Sequence, residues 1–271
     1  GEIDKKRPDP DMRALDLDRL RSLVDSNTCA VLAQSPNFFG CIEPMARISE
    51  IARQHGSLFV ASVNPISLGL LKPPGEYAAD FAVGEGQPLG IPLSYGGPWL
   101  GFLASTKKLV HKISGRIVGR STDEAGEPAF CLTLQAREQH IRREKAVSNI
   151  CTNQALMALR ACIYLALVGK QGLIEVARLN YRRAHDAAKT IAALPGFSLA
   201  HQQPFFNEFT VTCPGNAVKI AETLEHEGVI PGLPLGSHDP SRSNDLLICV
   251  TETKSEADIA RLVESLGQFN Q

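Results

Sequence analysis

The chain has 271 residues, of which 44% are apolar and 21% charged, and its formal net charge is −1. That is an ordinary soluble balance with material for a sizeable core, in one large or two modest domains. It implies no general affinity for nucleic acid or for an anionic membrane surface.

Residues 1–14 read as a polar lead-in without the apolar core of a signal peptide. Leu15, Leu20, Leu23 and Val24 predict a helix over 15–24, with Asp16 and Asp18 in its first turn. Residues 29–33 read as a buried strand, and the loop SPNFFG at 35–40 follows. Ile42, Met45, Ala46, Ile48 and Ala52 recur at helical spacing over 42–54. A strand is expected over 57–61, then a short helix over 64–71 that stops before Pro73-Pro74. Strand alternating with helix predicts a parallel sheet with crossover helices.

The next stretch, DFAVGEGQPLGIPLSYGGPWLGFLAS at 80–105, reads as two strands, 81–83 and 99–104, around a loop. Pro88 and Pro92 forbid a helix there, and Gly96-Gly97-Pro98 marks a sharp turn. The loop's polar side chains are Gln87, Ser94 and Tyr95. Loops that leave strand ends in α/β folds hold ligands, and a purely structural turn is the competing reading.

Residues 109–119 read as basic and helical at their start, 121–128 (STDEAGEP) as a hairpin-like turn, and 130–134 as a strand. A helix is expected over 136–145, supported by Glu138 and Arg142 four apart. This basic run is either a solvated face or an electropositive wall facing an anion. From Ile150 the pattern changes to a long helix, 150–168, closed by Gly169. Asn153, Gln154 and Arg160 interrupt it, so it reads as a buried helix and not a membrane span. A second helix, 173–193, ends at Pro195-Gly196. A strand at 206–213, a helix at 217–227 ended by Gly228, a strand at 246–251 and a helix at 255–266 complete the chain. Ser255 is positioned to cap the last helix, with Asp258 three residues on.

Seven cysteines, odd in number and without a CxxC, argue for reduced thiols in a cytosol-like compartment and against a disulfide scaffold or zinc site. No histidine pair has metal-ligand spacing, so no metal is expected.

Six motifs agree together in order and spacing. They are SPNFFG at 35–40, LKPPGEYAAD at 71–80, GEGQPLG at 84–90, SYGGP at 94–98, AREQHIRREK at 136–145 and SNICT at 148–152. With them the chain resembles the glycine-cleavage P-protein family, the pyridoxal-phosphate glycine decarboxylases, and within it the first subunit of the two-subunit bacterial form. Two positions depart from the family pattern. Trp99 stands where His usually follows GGP, and Val147 stands where Thr usually precedes SNICT.

The resemblance implies an α/β fold, part of a pyridoxal-phosphate fold-type I (aspartate-aminotransferase-like) large domain with a mostly parallel sheet. Residues 1–147 would be the C-terminal part of that domain, which begins upstream of Gly1 in the family. Residues 148–271 would be a long connecting helix and a small α+β domain. The implied function is that of the subunit without the lysine. With glycine dehydrogenase subunit 2 it would decarboxylate glycine through pyridoxal phosphate and pass the aminomethyl group to the lipoyl group of the H protein. A cytoplasmic heterodimer or dimer of heterodimers is implied, with this chain inactive alone. The alternative is a non-catalytic structural or regulatory partner of a pyridoxal-phosphate enzyme.

Residue by residue, the family's Schiff-base lysine falls at Pro88, and the acid at the pyridine nitrogen falls at Ala61. A proline cannot form an imine, so the cofactor would be bound covalently by the partner subunit. Ser148, Asn149 and Thr152 open the long helix and are the expected phosphate ligands, supplied in trans; the other reading is helix capping. Cys151 between them reads as an inert thiol. Tyr95, His140 and Arg142 are candidates for the mouth or channel of the site.

Overall fold

The computed structural model describes residues 14–146 and 154–269. Helix α1 (Leu17–Leu23) starts later than its apolar spacing suggested, because Asp16 is its cap and not part of its first turn. The Asp16 carboxylate accepts the N–H groups of Asp18 and Arg19, which holds Asp16 itself in an extended conformation.

Strand β1 (Ala30–Ser35), helix α2 (Met45–Gln54), and strands β2 (Leu58–Val63), β3 (Phe81–Glu85) and β4 (Gly101–Ser105) follow. The strands form one sheet in the order β1-β2-β3-β4. The first three run parallel and β4 returns antiparallel to β3. The expected mostly parallel sheet is present, with a single α-helical crossover. Helix α2 buries Met45, Ile48, Ile51 and Ala52 against Val31, Phe59 and Val63 of the sheet. Between β2 and β3 the chain makes two 3-10 turns, Ser67–Gly69 and Pro74–Tyr77, in place of the expected helix. The segment between them is too short, and too near Pro73-Pro74, to grow an α-helical turn.

Two readings of the basic region are corrected. Residues 109–119 do not begin a helix beyond the 3-10 turn Lys107–Leu109; their end is strand β5 (Ile117–Thr122). It pairs antiparallel with β6 (Pro128–Thr133) around the expected turn, where Asp123 accepts the N–H groups of Ala125 and Glu127. The 136–145 helix is also not continuous. Only α3 (Gln139–Arg142) is α-helical, between 3-10 turns, and Arg143 breaks it at φ 53°. The cause is Arg137. Its guanidinium is buried, donates to the carbonyls of Ile113 and Gly115, and pairs with Glu138 at 3.5 Å. Glu138 is thereby drawn away from Arg142, which donates instead to the Ala136 carbonyl at 3.0 Å.

α4 (Ala155–Ala192) is two helices that meet at a non-helical kink at Gly169 (φ 57°, ψ −170°), the residue expected to close the first. Past the kink it buries Ala177, Ala184, Ala187, Ala188 and Ile191. The expected burial of the first half is not found. Among its described residues only Ala161 is buried, while Leu156 and Leu167 are 70% and 81% exposed. Only one stripe, centred on Ala161 and Tyr164, meets the rest of the described chain. By length and composition α4 is apolar enough to cross a membrane.

The second sheet contains β7 (Ser198–Leu199), β8 (Glu208–Thr212), β9 (Leu233–Pro234) and β10 (Asp245–Cys249), in the antiparallel order β7-β8-β10-β9. β7 and β9 have two residues each, too few to show a periodicity. Helix α5 (Ala217–His226) is capped by Asn216, and α6 (Glu256–Leu266) has the full Ser255/Asp258 capping box. These helices and the second half of α4 close a core around Phe209, Val211, Leu224, Leu246 and Ile248.

The SPNFFG loop joins the two sheets. The Ile42 N–H donates to the Pro204 carbonyl at 2.8 Å, and the Phe39 ring lies 4.1 Å under the Arg242 guanidinium. Gly40 (φ 82°) is where the backbones meet: a Cβ there would lie 1.9 Å from the Glu208 carbonyl oxygen.

Candidate functional site

The loop between β3 and β4 is braced by its own polar groups. The Glu85 carboxylate accepts the N–H of Gln87 at 3.0 Å and that of Leu100 at 2.8 Å. The Gln87 amide donates to the Ile91 carbonyl at 2.5 Å. Pro88 is half-buried between Gln87 and Leu89, and Leu89 packs in a small core with Ala161 and Phe206. Gly90 lies against α4: Arg160 donates to its carbonyl at 2.6 Å, and a Cβ would meet the Tyr164 ring at 2.8 Å. Of the side chains flanking Pro88, Gln87 braces the loop itself and Leu89 packs against the helix, and neither is a nucleophile.

Ala61 lies fully buried in the middle of β2, in register with Ala33 and Ala82 of its neighbours. Its methyl group packs in the sheet core. Tyr95 is fully exposed at φ 54°, and the Trp99 indole donates to the Leu93 carbonyl at 3.1 Å. His140 and Arg142 are exposed on α3. No hydrogen bond joins Tyr95, His140 and Arg142 among the described residues. Val147, Ser148, Asn149, Cys151 and Thr152 lie outside the described residues.

The C-terminal ends of β1 and β2, where α/β sheets bind ligands, open into a cavity of about 280 Å³. Ser35, Glu43, Val63, Ser67, Lys72 and Tyr77 line it. Ser35 Oγ accepts the Glu43 N–H, and Ser67 Oγ donates to the Asn64 carbonyl. Burial raises the Glu43 carboxyl above its ordinary value, against the opposing hydrogen bonds from the Leu15 N–H and the Asn37 amide. Burial also pushes the Tyr77 phenol up to about 12. Lys72 remains as a cationic lining group without a described partner. Lys72 is the one lysine lining the cavity, and Ala61 on β2 offers no acid. Sequence reasoning missed Glu43, just past the SPNFFG motif, and Lys72 and Tyr77, which lie within LKPPGEYAAD.

Comparison with known proteins agrees with this architecture. The family model described as "Glycine cleavage system P-protein" matches residues 10–266. "Probable glycine dehydrogenase (decarboxylating) subunit 1" of Desulfitobacterium hafniense is 52% identical over 256 residues, 94% of this chain and 57% of the relative. The protein of the same name from Prosthecochloris aestuarii is 52% identical over 255 residues, again 94% and 57%. The chain thus spans little more than half the length of these curated relatives. A crystal structure of glycine decarboxylase (P-protein) in inhibitor-bound form superposes with a TM-score of 0.85 at 42% identity, over 91% of this chain and 56% of that one. A NifS-like protein from Rickettsia africae shares the fold alone, with a TM-score of 0.67 at 16% identity, over 94% and 66% of the two chains. Such neighbours place the fold among the pyridoxal-phosphate fold-type I enzymes. The chain belongs to the glycine cleavage system P-protein family.

Proposed function

We propose that this chain is the non-lysine-bearing part of a glycine decarboxylase. It works with a second subunit that holds pyridoxal phosphate covalently. Bound there, the cofactor supplies the electron sink that decarboxylation at the glycine α-carbon requires. The aminomethyl product then passes to the lipoyl group of the H protein. The assembly is a cytoplasmic heterodimer or dimer of heterodimers, in which residues 1–147 belong to the large domain and 148–271 to the connecting helix and small domain. Ser148, Asn149 and Thr152 reach the partner's cofactor phosphate, and Tyr95, His140 and Arg142 face the channel to it.

The observation that carries this reading is the loop itself. Pro88 and Ala61 occupy the two positions that would hold the cofactor, and no lysine lies between Lys72 and Lys107. Gln87 braces the loop internally through the Ile91 carbonyl, while Leu89 and Gly90 pack against α4. Borohydride reduction of the assembled complex with cofactor, followed by peptide mapping, tests it. The expected label is on the second subunit only. A label on this chain at high occupancy, with Lys72 the first place to look, overturns the assignment.

A further inference from the structure

The tip of the loop between β3 and β4 runs against ordinary backbone preference. Ser94, Tyr95, Gly96 and Gly97 follow one another at φ 47°, 54°, 119° and 114°. The two glycines adopt such angles freely, but Ser94 and Tyr95 carry a Cβ that crowds the backbone there. Tyr95 is the more unusual of the pair, since a bulky aromatic cannot hydrogen-bond the local backbone as Asn or Asp does. Such a conformation persists only where its surroundings over-determine it.

One oxygen holds the tip. The Leu93 carbonyl accepts the N–H of Gly96 at 3.0 Å, that of Gly97 at 3.1 Å and the Trp99 indole N–H at 3.1 Å. The indole lies against the turn: a Cβ on Gly97 would meet Trp99 Cγ at 3.8 Å and Cδ1 at 3.9 Å. Trp99 is in turn fixed at its base. Its neighbour Leu100 donates to the Glu85 carboxylate at 2.8 Å, and the Leu100 carbonyl accepts the Gly86 N–H at 2.5 Å. A chain of contacts thus runs from the end of β3 through Leu100 and Trp99 to the Leu93 carbonyl. It ends on Tyr95, whose phenol is fully exposed and makes no hydrogen bond among the described residues.

We infer that Trp99 is a positioning residue, whose indole locks Tyr95 in the left-handed conformation that presents the phenol to the glycine carboxylate at the mouth of the channel. This rests on the reading above that Tyr95 faces that channel. The phenol O–H is a hydrogen-bond donor and the glycine carboxylate a strong acceptor, whereas the sulfurs of a lipoyl group are weak ones. Trp99 stands where His usually follows GGP in the family. Both rings carry a nitrogen two bonds beyond Cγ, so either can offer an N–H to the Leu93 carbonyl at similar reach.

The test uses full-length subunit 1 assembled with the second subunit and pyridoxal phosphate, with glycine titrated and the cofactor absorbance followed. Tyr95→Phe and Trp99→Phe each weaken glycine binding about tenfold, the loss of one hydrogen bond to a charged group. The double variant is no weaker than Tyr95→Phe alone, because Trp99 acts only through Tyr95. Trp99→His stays within about twofold of the parent, since its ring N–H replaces that of the indole. Hydrogen exchange, read by mass spectrometry on the peptide spanning 91–100, is about tenfold faster in Trp99→Phe and unchanged in Tyr95→Phe and Trp99→His. Parent-like glycine binding in Trp99→Phe, beside a weakened Tyr95→Phe, overturns the inference and leaves Tyr95 at the channel. So does a double variant in which the two losses multiply. A Trp99→Phe variant that no longer assembles overturns it in favour of a packing role. Parent-like binding in Tyr95→Phe removes Tyr95 from the channel and the inference with it. The borohydride label on the second subunit remains a separate result, so failure here leaves the cofactor assignment standing.

Discussion

Gly40→Ala tests the joint between the two sheets. Two penalties apply. Gly40 sits at φ 82°, and an L-residue in that region costs about 1–2 kcal/mol. The added Cβ would stand 1.9 Å from the Glu208 carbonyl oxygen and 2.4 Å from its carbonyl carbon, so backbone must move by more than 1 Å. Overpacking of that kind costs about 1–3 kcal/mol. The move also stretches the Phe206 N–H to Gly40 carbonyl contact, already 3.4 Å, and the neighbouring Ile42 to Pro204 bond. Loss of chain entropy in the unfolded variant returns about 0.4–1 kcal/mol. The net loss is about 3 kcal/mol, a large part of the roughly 5–15 kcal/mol that stabilises a folded protein. Gly56→Ala is the control: its φ is 74°, with nothing within 4 Å of the new Cβ, so only the backbone cost applies. Thermal unfolding should show Gly40→Ala lower in Tm by about 6–12 °C and Gly56→Ala by about 2–4 °C. Urea midpoints should fall in the same order with unchanged slopes. Equal losses for the two variants would refute the close approach at Gly40.

Three further outcomes are expected. Burial raises the Glu208 carboxyl above its ordinary 4.5, so its protonated form is favoured in the fold. Its contribution is most favourable below the unfolded value and is lost as pH rises through the folded value. Glu208→Gln should therefore be more stable than the parent at pH 7, with the gap closing toward pH 4 in urea titrations; a gap independent of pH would count against this. Ser255→Ala removes the side-chain half of the α6 capping box, leaving the Ser255 N–H on the Asp258 carboxylate, and should cost about 1 kcal/mol in urea unfolding; no loss would show that the cap is idle. Thr152→Val in full-length subunit 1 should weaken cofactor retention by the complex about tenfold or more while assembly persists, since a hydrogen bond to a charged group contributes about 1.5–3 kcal/mol. Unchanged cofactor absorbance on titration would leave residues 148–152 as a helix start and favour the scaffold reading.

The sequence by itself determined what depends on near neighbours and on residue identity. Ser255 with Asp258, the Asp123 turn and the stop at Gly228 are local hydrogen-bonding and backbone choices, readable within four residues of chain. The lack of a lysine at Pro88 is a matter of identity, and no fold can alter it. The tertiary structure decided what depends on distant partners. Arg137 breaks the 136–145 helix because its guanidinium is claimed by carbonyls of Ile113 and Gly115, more than twenty residues back. Residues 117–122 form a strand because β6 offers them a ladder, although their basic approach reads as helix. Gly40 is indispensable only because Glu208 arrives beside it from the other sheet. The apolar first half of α4 looks buried in any sequence reading, since periodicity reports which faces avoid water. It cannot report whether the covering surface belongs to the same chain, because burial is a property of what packs against a residue and not of the residue alone.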